Sequence, residues 1–194
     1  MRNSVKTVSG AFIPALAAFV GSTVPAMAHP GHGDGGFVSG LVHPLTGVDH
    51  LAAMVAVGLW AATRPARQAW MAPAAFMAAL AAGAGAGVTF GAVPGVESMV
   101  AVSVLVLGAL LVLATRLSSG VALALIAGAG VLHGMAHGAE ATGSLPAYFA
   151  GFLGASAMLH AGGWQAGRTI FARGQGRVVA GLALGITGLA LLAS

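Results

Sequence analysis

Residues 120–140 read GVALALIAGAGVLHGMAHGAE, an apolar stretch of membrane-spanning length whose last two turns carry His133, His137 and Glu140. About 20 apolar residues cross a ~30 Å hydrocarbon core as a helix. An ionisable side chain near the bilayer centre costs roughly 2.5–3.5 kcal/mol, so such groups face the interior of a bundle and serve a pathway or a bound ion. The stretch therefore reads as a membrane helix carrying metal-ligand chemistry.

The rest of the 194-residue chain agrees. Hydrophobic residues make up 58% of it and charged residues 6%, with a mean hydropathy of +0.93, whereas a soluble domain carries about 25% charged residues. Apolar segments at about 38–62, 69–90, 96–114, 120–138, 146–166 and 178–193 predict an all-α polytopic membrane protein with a bundle of six transmembrane helices. Arg64 and Arg67 follow the first segment, Arg116 the third, and Arg168, Arg173 and Arg177 the fifth, while the loops 91–95 and 139–145 hold no Lys or Arg. The positive-inside rule then places the arginine loops in the cytoplasm and both mature termini outside, in the periplasm if the membrane is a bacterial inner membrane.

Residues 1–28 combine Arg2 and Lys6, an apolar run from Ala11 to Val20, and Ala26-Met27-Ala28, the pattern of a cleaved signal peptide. An uncleaved anchor would instead add a helix. The expected organisation is a signal peptide at 1–28, a histidine-containing outer N-terminus at 29–37 and a six-helix domain at 38–194. Glycines at small-residue spacing, such as Gly181 with Gly185 and the run Gly83, Gly85, Gly87, predict close helix packing.

Several function classes fall away. The net charge of +4 reflects scarce acids and eight scattered basic residues, which is not a nucleic-acid footprint. With no cysteine there is no disulfide, zinc thiolate or cysteine nucleophile. A metal must be held by nitrogen and oxygen, with methionine sulfur as the soft option. No G-x-x-x-x-G-K-[ST] loop occurs, so ATP is not bound by that route, and no resident cofactor is expected.

Two clusters carry the chemistry. In the first segment, His43 and His50 stand seven residues apart, with Asp49 beside His50; on a straight helix they lie about 20° from one azimuth but ~10 Å apart along the axis. One straight helix cannot bring both to one ion at ~2.1 Å. Either Pro44 and Gly47 bend the segment, or the histidines are successive stations on an ion path. Asp49 suits a direct ligand or an acceptor that orients an imidazole; His43 could also simply cap a helix start, with Pro44 at the first position. In the fourth segment His133, His137 and Glu140 follow i, i+4, i+7, within about 60° of azimuth if the helix continues through Glu140. An i, i+4 histidine pair offers two nitrogens to one ion.

The runs His43-Pro44-x-x-Gly47-x-Asp49-His50, Ala53-Met54-x-x-Val57-Gly58 and His133-Gly134-x-Ala136-His137-Gly138-x-Glu140 resemble the HupE/UreJ family of small membrane proteins, over essentially the whole mature chain. The resemblance implies nickel or cobalt uptake linked to hydrogenase or urease maturation proteins. Carried over by position, it marks His43, Asp49, His50, His133, His137 and Glu140 as metal-handling residues.

His29 and His32 form a separate candidate: with cleavage after Ala28, the α-amine and imidazole of His29, completed by His32 or Asp34, would capture an ion outside. His160 reads equally as an inner relay ligand and as a buried histidine bonded to a carbonyl. Met54 and Met158 suit the path or core filling, and Glu97 suits a helix N-terminus. An inside-negative potential is worth ~2.3 kcal/mol per charge per 100 mV, so roughly 4.6 kcal/mol for a divalent cation, enough for about three orders of magnitude of accumulation. The expected function is a potential-driven permease, most simply for Ni2+ or Co2+. The rivals are an intramembrane zinc hydrolase, with serines such as Ser156 nearby, and a non-transporting metal sensor or accessory subunit. A homo-oligomer is compatible with either.

Overall fold

The computed structural model describes residues 36–194. The expected signal peptide, His29 and His32 lie outside the described residues. Within them the chain is all-helical: α1 (Phe37–Thr46), α2 (Val48–Ala61), α3 (Met71–Phe90), α4 (Val96–Val112), α5 (Ser119–Glu140), α6 (Leu145–Ile170) and α7 (Gly176–Leu192), with single 3-10 turns at Ala66–Gln68 and Phe171–Arg173.

The first segment is not a straight helix over 38–62 but is bent, the first of the two readings that Pro44 and Gly47 allow. It is two helices whose axes differ by 85°. Pro44 sits inside α1 and not at its start, and it offers no N–H to the helix. Gly47 then leaves helical geometry at φ −90°, ψ 121°, ending α1 while its carbonyl accepts from the Leu51 N–H at 3.0 Å to begin α2. The Thr46 hydroxyl donates to the His43 carbonyl at 2.8 Å, satisfying one of the acceptors that a helix end leaves open. Glycine has weak helix propensity and proline weaker still, so the break falls where the chain resists a continuous helix least.

By length and composition, Ala66–Phe90 and Ser119–Glu140 are long and apolar enough to cross a membrane, and the bent pair α1–α2 adds a third if it counts as one span. Helices α4 and α7 are apolar but only 17 residues long, about 25 Å at 1.5 Å per residue. Helix α6 is continuous over 26 residues, its apolar sequence interrupted by polar residues that include His160, Gln165 and Arg168.

Helices pair through glycine. The main contacts are α3 with α5, α4 with α7, and α6 with both α1 and α2. A Cβ on Gly83 or Gly87 of α3 would run into the α5 backbone at Val131 or Met135, and one on Gly134 or Gly138 of α5 into the α3 backbone at Leu80 or Ala84. Gly85, between the two contact glycines, faces open space among the described residues. Lipid tails are as apolar as leucine, so close van der Waals approach of this kind holds membrane helices together. The arginines agree with one another as well. Arg64, from the α2–α3 loop, donates to the Ala114 carbonyl at 2.5 Å and lies 4.2 Å over the Trp60 ring. Arg177, at the start of α7, donates to the carbonyls of Leu111 and Val112. Both cations close the C-terminal end of α4, where the helix dipole favours positive charge.

Candidate metal centre

The 85° break decides the site. Because α1 and α2 meet at Gly47 at nearly a right angle, His43 near the end of one and His50 near the start of the other approach the same side chain of α5. The His43 and His137 rings lie edge to face with centroids 4.6 Å apart, His137 and His50 4.0 Å apart, and His50 and His133 4.7 Å apart. Four imidazoles thus form one connected chain in the order His43, His137, His50, His133. Helix α5 does continue through Glu140, and Glu140 Oε2 lies 2.9 Å from His43 Nε2 at the exposed end of the chain.

The hydrogen bonds around the rings are selective. Asp49 Oδ1 accepts from both the backbone N–H and the Nδ1–H of His50, each at 2.7 Å, which leaves His50 Nε2 as the lone-pair nitrogen. On α4 the Ser103 hydroxyl donates to the Val100 carbonyl at 2.7 Å, so its oxygen accepts from His133 Nε2–H at 2.9 Å and His133 Nδ1 carries the lone pair. Among the described residues, His50 Nε2, His133 Nδ1 and both nitrogens of His137 are buried without a hydrogen-bond partner. Each such group costs roughly 1–3 kcal/mol, and several in one place call for an explanation. A carboxylate or hydroxyl behind the ring and a free nitrogen in front of it is how a histidine is held ready for a metal ion.

Among the described residues, His43, His137 and Glu140 bring one ligand atom each within 4.8 Å of the others. Donors sharing one ion at ~2.1 Å lie at most ~4.2 Å apart, so small side-chain movements close this set. The phenol oxygen of Tyr148 is buried beside it without a partner among the described residues, its ring 6.0 Å from His43, and Phe152 packs 4.1 Å from His137. Asp49 and Glu140, two of the four acidic residues in the chain, flank the imidazole chain.

All six described candidates, His43, Asp49, His50, His133, His137 and Glu140, therefore converge. His160 does not join them; its neighbour is Phe76, at 5.2 Å between centroids. Met54 is buried in the core and Met158 is exposed on the outer surface of α6. Glu97 lies in the first turn of α4. Ser103, Tyr148 and Phe76 were not singled out from the sequence, although Ser103 is an isolated hydroxyl in an otherwise apolar run, which is a usable signal.

Comparison with known proteins adds the family. A sequence model described as HupE / UreJ protein matches residues 17–192. The chain belongs to the HupE/UreJ family. Protein HupE of Rhizobium leguminosarum bv. viciae is 37% identical to it over 167 residues, covering 85% of this chain and 87% of that relative. No solved structure matches. HupE/UreJ membership carries a membrane location and a role in nickel or cobalt handling, as transporter or accessory protein. It is not an enzyme family, and the hydrolase alternative is set aside.

Proposed function

We propose that this HupE/UreJ protein is a permease carrying Ni2+, or Co2+, inward across a bacterial inner membrane, driven by the membrane potential. In this reading the chain crosses the membrane six times, with both mature termini in the periplasm and the arginine loops in the cytoplasm. The observation that carries the reading is the connected row of four imidazoles, three of which, His50, His133 and His137, have buried nitrogens without a hydrogen-bond partner among the described residues. His43, His137 and Glu140 form the outer entry, with His29 and His32 as a capture site ahead of it, and His50 and His133, held by Asp49 and Ser103, take the ion deeper. Exchange between neighbouring sites of moderate affinity lets an ion enter and still leave. Hydrogenase or urease maturation proteins are the intracellular recipients, and a homo-oligomer is compatible with the arrangement.

Nickel and cobalt uptake into metal-depleted cells expressing the chain, against His137→Ala at matched membrane levels, tests the proposal. Uptake lost in the variant and on collapse of the potential supports it. Tight metal binding without any uptake by the wild type replaces the permease with an accessory or sensor role.

A further inference from the structure

His160 is 2% exposed, and among the described residues neither ring nitrogen has a hydrogen-bond partner. Ser156, equally buried one turn earlier on α6, donates to the Phe152 carbonyl at 2.8 Å, so this helix can satisfy a buried polar group where nothing else is required of it. His160 also lines an open groove of about 420 Å³ that lies between α3 and α6, reaches the end of α2 and is exposed along Ala66, Trp70, Ala74, Ala157 and Ala161. Met77 and Trp164 share its wall, and exposed Trp70, with Ala66, marks its far end beside the Arg67 turn. That volume is many times the ~30 Å³ of liquid that one water occupies, so a partly hydrated cation fits. Phe76, fully buried, has its ring 5.2 Å from His160 and 5.9 Å from His133. One aromatic ring thus links the last imidazole of the outer row to the first polar group of the groove.

We propose that His160 is a second, inner binding station for a divalent first-row transition-metal ion, reached past Phe76 and opening through this groove toward the arginine-bearing side. The inference rests on the permease reading and adds the exit half of the route. One imidazole nitrogen, waters and the Met77 thioether make a weaker set than the outer histidines. Weak ligation is what a release site needs, because a tightly held ion does not leave.

The test uses the purified full-length chain in nanodiscs, titrated with Co2+ and Ni2+. Wild type binds a tight and a weak ion; His160→Gln keeps the tight one, loses the weak one, and its uptake in cells falls roughly tenfold. His137→Ala loses the tight ion and keeps the weak one. Because the chain has no cysteine, Ala161→Cys places a single thiol on the groove wall with His160 intact. It should react with a charged, membrane-impermeant thiol reagent from the cytoplasmic face of inverted vesicles, and Ni2+ should slow that reaction. A thiol that stays unreactive in the folded protein identifies a lipid-facing groove and overturns the proposal. Unchanged weak binding and uptake in His160→Gln overturn it while leaving the permease reading intact; a wild type that neither binds nor moves the ions overturns both.

Discussion

The Ser103 hydroxyl decides which nitrogen of His133 is free. It lies 2.9 Å from Nε2 and sends its own proton to the Val100 carbonyl, so it accepts the imidazole proton and leaves Nδ1, buried without a partner among the described residues, as the free nitrogen. Ser103→Ala removes that acceptor, and the ring then exchanges tautomers. Loss of such an outer hydrogen bond typically lowers metal affinity 10–100-fold, and that is the expected drop in a Ni2+ titration of the variant with thermal unfolding followed in parallel. Unchanged affinity would remove His133 Nδ1 from the ligand set.

Asp49 does two things at once, accepting from the His50 ring and from the His50 backbone. Asp49→Ala therefore weakens the start of α2, where a carboxylate contributes about 0.3–1 kcal/mol, as well as metal binding. Asp49→Asn keeps an oxygen for the backbone bond but loses the charge that supports the ring. It should retain near-wild-type melting while its Ni2+ affinity falls about 10–100-fold.

Gly47 is required for space and not for its dihedral angles, which an ordinary residue also adopts. A Cβ there would stand 2.8 Å from Asp49 Oδ1 and 3.1 Å from His50 Nδ1. Gly47→Ala should push that pair out of line and cut uptake at least as far as Asp49→Asn, with helical content unchanged by circular dichroism. Full uptake in this variant would mean that the Asp49–His50 pairing is not needed.

The glycine contact between α3 and α5 is a matter of stability. A Cβ on Gly134 would collide with the Leu80 carbonyl and the Ala84 nitrogen, backbone atoms that cannot move aside alone, whereas Gly128 on the same helix faces open space among the described residues. Gly134→Ala should destabilise the detergent-solubilised protein by about 1–3 kcal/mol, the range for overpacking. Gly128→Ala should melt within about 0.5 kcal/mol of wild type. Equal melting of the two would show that the α3–α5 contact is not limiting.

Ligand linkage supplies a further check. A metal that occupies the buried nitrogens should stabilise the fold by about 2.7 kcal/mol at a hundredfold excess over its dissociation constant. The upward shift in melting temperature with Ni2+ should vanish in His137→Ala, whose imidazole touches both His43 and His50.

Much of the site was legible in the chain because its signals are local. His133, His137 and Glu140 share a face through helix geometry alone, and α5 carries that periodicity through Glu140. His43 and His50 were recognisable as candidates, and the spacing left two readings open, a segment bent at Pro44 and Gly47 or two successive stations on a straight helix. Only the angle at Gly47 shows how both reach His137. Neither the Ser103 bond to His133, which joins α4 to α5, nor the isolation of His160 behind Phe76 follows from any spacing within one segment.

Sequence alone determined the membrane class, the helical content and which side chains are candidate metal ligands, since hydropathy and helical period depend on neighbours along the chain. Tertiary structure decided that two histidine clusters form one connected row, which tautomer of His133 is held, and which histidine stands apart beside a groove. Those outcomes depend on a break angle and on contacts between distant helices, and both are set by how closely the glycine-lined backbones approach.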